Sequence, residues 1–132
     1  EETLGRTNLA NSISKNEKIN LEKSLLIGDE ISGHFVYGHV DTTTTVNEII
    51  ELENSWEYYF EKKFNKNNKF IVEKGSISIN GISLTIAKVE NYTFMISVID
   101  HTFNHTNLKF LNKSDQVNIE FDYLARFIFN NE

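Results

Sequence analysis

A chain of 132 residues with no Cys, no Pro and a formal charge of −6 has the size of one domain. At this length about two-thirds of the unfolded surface is buried, so a core forms without disulfides, and the Cys-free composition fits a reducing cytosol. No apolar run approaches the roughly 18 residues of a membrane span, and a pI near 5.2 with two Arg among 13 basic residues lacks the basic footprint of a nucleic-acid surface, so any partner is expected to be small and uncharged.

In chain order, period-2 patterns dominate. The Val- and Thr-rich run from Phe35 to Val46 reads as one long strand. Trp56-Glu57-Tyr58-Tyr59-Phe60 and Phe70-Ile71-Val72 read as short ones, with Asn65-Lys66-Asn67-Asn68 a surface loop between them. Ile77, Ile79, Ile82, Leu84, Ile86 and Val89 alternate with polar or small neighbours, and Asn80-Gly81 in their midst is a tight-turn signal. After a Glu90-Asn91 turn, Tyr92, Phe94, Ile96 and Val98 continue the alternation, and Val117-Asn118-Ile119-Glu120-Phe121 is a further strand. Helical signal is confined to a turn within Thr102 to Leu111 and a last helix carrying Tyr123, Leu124, Phe127 and Ile128, which Asp122 could cap. Six or so short strands with few helices describe an all-β chain, a small closed barrel or Greek-key sheet that removes its edges by closure.

The chain also repeats itself. Glu1-Glu2-Thr3-Leu4-Gly5-Arg6-Thr7-Asn8-Leu9 aligns with Asp100-His101-Thr102-Phe103-Asn104-His105-Thr106-Asn107-Leu108, an offset of 99 residues. Lys18-Ile19-Asn20-Leu21-Glu22 aligns with Gln116-Val117-Asn118-Ile119-Glu120 at an offset of 98. Two matches in order at one domain-sized spacing indicate the tail of one copy of a domain followed by a whole second copy, unlike the short period of a solenoid.

Residues that could carry chemistry cluster in two blocks. Gly33-His34-Phe35-Val36-Tyr37-Gly38-His39-Val40-Asp41 sets two Gly-His pairs around an apolar stretch, each Gly allowing a flat ligand or another backbone to approach. Ser83 and Thr85 share one face of a strand, where paired hydroxyls suit hydrogen bonding to a polar heterocycle or simply face water. The surrounding Lys74 to Thr85 block lacks phosphate-loop spacing. Of the four His, His34 and His39 would point to opposite faces of a strand, and His101 and His105 share a helix face with no Glu between them in the H-E-x-x-H manner, so no metal site is expected. For His34 and His105 a structural and a functional role stand about level. No Ser-His-Asp order or nucleophile elbow is present.

Together, G-H-x-x-x-G-H-V-D at 33 to 41, K-G-S-x-x-x-x-G-x-S-L-T at 74 to 85, the Asp100-His101-Thr102 segment and V-N-I-E-F-D-Y-L-A-R-F at 117 to 127 resemble the C-terminal barrel of riboflavin synthases of the alpha-chain type, over nearly the whole chain. Ser32 stands where a second Gly is usual in that family, and Asp100-His101 replaces a Pro-containing turn. The resemblance implies a six-stranded Greek-key barrel with short helices. Residues 1 to 24 would be the end of an N-terminal lumazine-binding barrel, 25 to 121 the C-terminal barrel, and 122 to 132 the start of a trimerisation helix. It implies, without a cofactor, dismutation of two 6,7-dimethyl-8-ribityllumazine molecules by four-carbon transfer, giving riboflavin and 5-amino-6-(ribitylamino)uracil in a cytoplasmic homotrimer that can associate with lumazine synthase. Gly38, His39 and Val40 would line the ring pocket, faced by Ser83, Leu84 and Thr85. Lys74, Ile99, Asp100, His101, Thr102, Phe103 and Asn104 would complete it, and Glu1, Glu2 and Thr3 would be the surviving part of its twin. His39, Ser83 and Thr85 are the expected hydrogen-bonding or proton-transfer groups. The first barrel's ring-binding strands are not in this sequence, so weak binding and little turnover are expected of the 132 residues alone. The runner-up from another class is a non-catalytic lumazine protein.

Overall fold

Apolar residues at every second position are what the strands share, and the computed structural model, which describes residues 2–62 and 66–129, turns them inward. Tyr58 and Phe60 on β2 (Ser55–Glu61), Ile77 and Ile79 on β3 (Ser76–Ile79), and Phe94, Ile96 and Val98 on β5 (Thr93–Ile99) are all buried in one core. Val46 of β1 (Thr42–Glu51), Ile86 of β4 (Ile82–Val89) and Val117, Ile119 and Phe121 of β6 (Gln116–Phe121) complete it. The strands pair antiparallel in the closed order β1-β2-β5-β4-β3-β6, so the expected six-stranded Greek-key barrel is what forms. Closure leaves no sheet edge to pair with another chain.

The turns follow their residues. Asn80 and Gly81 take φ of 50° and 82°, the two left-handed positions a tight β3–β4 hairpin demands, and Glu90 N–H bonds Thr93 O at 2.8 Å across the β4–β5 turn. Helix α3 (Asp100–His105) and a 3-10 turn at Asn107–Phe110 fill the stretch expected to hold one helical turn, and Leu108 is fully buried. Trp56 lies face to face with Phe103 of α3, ring centroids 3.7 Å apart. The last helix, α4 (Tyr123–Phe129), starts at Asp122, whose carboxylate accepts Leu124 N–H at 3.0 Å as a cap.

Two sequence expectations fail. The run from Phe35 to Val46 is a strand only from Thr42, because Gly38 at φ 72° turns the chain and the Tyr37 N–H is spent on the Glu120 carboxylate rather than on a ladder. Phe70-Ile71-Val72 is not a strand either. Phe70 ends a 3-10 helix (Lys66–Phe70) and is buried against Phe121 and Phe129, with Ile71 packed on the core beside it, in a segment that satisfies its backbone by local turns. That helix also takes part of the expected Asn65 to Asn68 loop, whose first residue lies outside the described residues. Ahead of the barrel come α1 (Glu2–Arg6) and α2 (Leu9–Ser14), and residues 15–41 hold neither helix nor strand. Among the described residues no helix is long and apolar enough to cross a membrane.

Tyr58 donates its hydroxyl to Leu108 O at 3.0 Å in the core, and burial pushes its pKa up from 10.0 to about 12. The folded state therefore keeps the proton, and its stabilising effect is complete below pH 10 and lost as pH climbs from 10 towards 12. Urea unfolding across that window is expected to show a loss of about 2–3 kcal/mol from this group. Tyr58→Phe should cost about 1 kcal/mol at neutral pH and show a flatter dependence.

Candidate functional site

Antiparallel partners point to the same face of a sheet, so register alone assembles a polar row on the outside of the barrel. Ser78 of β3 pairs with Ser83 of β4 on one side and Glu120 of β6 on the other, while their sequence neighbours Ile77, Ile79 and Ile119 point into the core. An outward row would ordinarily be wet, yet Ser78 and Glu120 are only 1% and 4% exposed. The segment from Gly33 to Asp41 covers it like a strap.

The strap is bonded at both ends. At β4, His34 N–H donates to Ser83 Oγ at 3.1 Å and His34 Nδ1 stands 2.7 Å from the same oxygen. Gly33 makes this fit possible: a Cβ there would lie 2.3 Å from Ser83 Oγ, and its φ is 81°. At β6, Tyr37 N–H reaches a Glu120 carboxylate oxygen at 2.7 Å, Asp41 N–H bonds Ile119 O at 2.8 Å, and the Asp41 carboxylate accepts Phe121 N–H at 2.9 Å. Asp41 also pairs with Arg126 of α4, and Tyr37 packs on Tyr123 at 4.6 Å. Ser83 Oγ thus meets both the amide and the Nδ1 of His34, while the ring's Nε2 is buried and has no hydrogen-bond partner among the described residues.

The expected site residues fall around this row. Thr85, exposed, pairs with Ser76 one step along the same outer face as Ser83, whereas Leu84 turns the other way and packs on the core. Lys74 is exposed in the turn before β3, at φ 66°, its N–H held by Ile86 O at 2.8 Å. β4 pairs β5 with Ile86 opposite Ile96; carried toward Ser83, that register sets exposed Ile99 level with it on the same face. Asp100 to Asn104 then begin α3, with Asn104 Nδ2 bonded to the Asp100 carboxylate at 2.9 Å, Thr102 O accepting Thr106 Oγ1 and Phe103 held by Trp56. His101 and His105 stack at 4.3 Å, the His105 Nδ1–H donating to His101 O.

His39 is exposed, and its Nδ1–H donates to Tyr37 O at 3.0 Å, so its other ring nitrogen is the one left for a ligand. Gly38 has open space around it and Val40 is half-buried. Glu2 pairs with Arg6 at 2.8 Å, Thr3 O accepts the Thr7 hydroxyl, and Glu1 lies outside the described residues. The imidazole brought onto Ser83 is thus that of His34, not His39. Glu120 and Ser78, which the sequence marks only as outer-face positions, are the groups the strap buries.

This barrel matches known proteins. Residues 37–122 match the lumazine binding domain family model. The chain is 39% identical over 127 residues to a riboflavin synthase of Actinobacillus pleuropneumoniae, covering 96% of this chain and 58% of that protein. It is 41% identical over 126 residues to the riboflavin synthase of Chlamydia muridarum, covering 96% and 61%. It therefore spans less than two-thirds of the length of these relatives. Among solved structures, LumP complexed with 6,7-dimethyl-8-(1'-D-ribityl) lumazine superposes with a TM-score of 0.67 at 26% identity, over 76% of this chain and 53% of that one. LumP complexed with riboflavin gives 0.64 at 26% identity, over 71% and 50%.

Gly33→Ala and Gly28→Ala separate the fit of the strap from backbone strain. Both sites have positive φ, but only at Gly33 does a Cβ strike another residue. Thermal or urea unfolding is expected to show about 1 kcal/mol lost at Gly28 and roughly 2–4 kcal/mol at Gly33. Loss of the strap in the Gly33 variant should also change the His34 ring signals in NMR spectra.

Proposed function

The chain belongs to the lumazine-binding domain family, in its riboflavin synthase type, and on that premise we propose that the barrel binds 6,7-dimethyl-8-ribityllumazine on its outer face beside Ser83 and serves as one of the two substrate sites of a riboflavin synthase. The observation that carries this reading is the Ser83 hydroxyl held by His34 at the margin of the strap, with Thr85 and Ile99 open on the same face and His39 on the strap itself. A flat pteridine needs an apolar surface to lie on and a few fixed polar groups to orient it. Ile99 offers the first, and Ser83 and Thr85 the second.

The reaction asks little else of a protein. The 7-methyl group of the lumazine is acidic because its carbanion delocalises into the heterocycle, so orienting two rings and moving protons suffices. One molecule donates a four-carbon unit to the other, and riboflavin and 5-amino-6-(ribitylamino)uracil result with no external oxidant. His39, its Nε2 free, is assigned proton transfer, and Ser83 and Thr85 hydrogen bonding to the ring. Gly38, Val40, Lys74, Leu84 and the segment Asp100 to Asn104 frame the site. In this reading residues 1–24 end a first lumazine-binding barrel, 25–121 are the second, and the segment 122–132, which includes α4, joins three subunits so that a neighbour supplies the other substrate. Residence in the cytoplasm and association with lumazine synthase follow from the same likeness.

A second reading, a lumazine-binding protein without catalysis, is favoured by the superposition on LumP. Fluorescence titration of the 132-residue chain with the lumazine tests what both share: Ser83→Ala is expected to weaken binding about tenfold, and equal affinity of variant and parent would remove Ser83 from the site. Riboflavin formation by the complete gene product separates the two, since the synthase reading expects turnover that drops at least about tenfold in His39→Ala, while the binding reading expects none in either.

A further inference from the structure

Helices α1 and α3 hold matching places in the sequence repeat, so that Glu2 corresponds to His101 and Arg6 to His105. In each helix these two side chains stand one turn apart on the same face. In α1 the spacing brings Arg6 Nη2 to Glu2 Oε1 at 2.8 Å, an attraction between opposite charges. In α3 the same positions carry two imidazoles, which have no such attraction, yet their ring centroids lie 4.3 Å apart with the planes 28° from parallel. Both rings are exposed, and neither makes an ion pair among the described residues. Two imidazoles repel when protonated and attract little when neutral. What the pair can hold strongly in common is a metal ion.

The hydrogen bonding around the pair is that of a ligand. His105 Nδ1–H donates to His101 O at 2.7 Å, so the lone pair of the neutral ring sits on Nε2. A backbone carbonyl behind the imidazole is a usual partner of a metal-binding His, because it sets the tautomer, fixes the ring and raises its basicity. The helix beneath is pinned from its other side: Phe103 stacks on Trp56 at 3.7 Å, and the Thr106 hydroxyl donates to Thr102 O at 2.7 Å. Nitrogens bound about 2 Å from one ion stand roughly 3 Å apart. That is close to the separation which the corresponding tips reach in α1. The Asp100 carboxylate is engaged by Asn104 Nδ2 at 2.9 Å, and among the described residues no three His, Asp or Glu are grouped to hold an ion, which leaves the remaining coordination positions to water. The Glu of the H-E-x-x-H pattern is a general base rather than a ligand, so its absence here argues against metalloprotease chemistry and leaves metal binding untouched.

We propose that His101 and His105 form a two-imidazole site on α3 for a divalent late transition-metal ion of the Zn2+, Ni2+ or Cu2+ class, with water completing its shell. The site does not depend on what the barrel binds, so its test is made without lumazine. The 132-residue chain, free of any histidine tag, is titrated with Zn2+ alone and with Mg2+ alone, followed by calorimetry and by the ring signals of its four His in NMR spectra. Zn2+ is expected to bind saturably, one ion per chain, and to move the His101 and His105 signals together while those of His34 and His39 stay in place. Mg2+, which takes oxygen ligands, is expected to leave all four unmoved. His101→Ala and His105→Ala should each weaken Zn2+ binding about tenfold or more, because a lone imidazole loses the chelate. Emission from Trp56 reports whether a variant keeps α3 in place through the Phe103 stack, and where that emission changes the ring signals of the parent decide alone. The proposal is overturned if Zn2+ shows no saturable binding below about 1 mM, or if all four His respond alike, which would mean an adventitious ion only. It is overturned equally if either Ala variant, its Trp56 emission unchanged, holds Zn2+ within about twofold of the parent.

Discussion

Strand β6 can serve three structures at once because successive side chains of a strand point to opposite faces. Inward, Val117, Ile119 and Phe121 fill the core and the backbone closes the barrel between β1 and β3. Outward, Glu120 accepts the Tyr37 N–H of the strap and Asn118 Oδ1 accepts the Asn8 N–H. A slip of one residue in β6 would exchange these sets, turning Asn118 and Glu120 into the core and leaving the Tyr37 and Asn8 amides without these acceptors. The packing of the core thus fixes where the polar strap can sit.

The strap is held by few bonds, and half of them join a backbone N–H to a side chain. That choice suits a segment with no ladder of its own, since each N–H must find an acceptor somewhere. Asp41 is the hub at its end: its carboxylate takes Phe121 N–H and pairs with Arg126, which itself lies over the rings of Phe70 and Tyr123. Through that one carboxylate, the strap, the closing strand and α4 are tied together. The side chains of Asp41 and Arg126 are largely withdrawn from water, so this pair is screened less than the surface pair Glu2–Arg6.

What could be read from the sequence was whatever depended on neighbours in the chain. Alternation along Ile77 to Val98, Asn80-Gly81 and the Asp122 cap are local signals, and each became the element it indicated. The failures came from contacts between distant residues. Phe35 to Val40 has the composition of a strand, but the Tyr37 N–H goes to Glu120 and that of His34, just before it, to Ser83, more than forty positions away. An aromatic anchor such as Phe70 and a strand residue are alike in sequence. For His34 two roles stand level in sequence for the same reason: only the fold brings it to Ser83. The row of Ser78, Ser83 and Glu120 was hidden because outer-face positions of a strand read as solvent-facing, and nothing local announces a strap.

One contact described above has an optical consequence. Trp56 is the single tryptophan of the chain and stacks on Phe103, four residues after Ile99 at the end of β5. All of the indole emission of the protein therefore arises at one fixed point on the β2–α3 side of the barrel. Any rearrangement of α3, or any chromophore settling next to it, is written into that one signal with no second indole to dilute it.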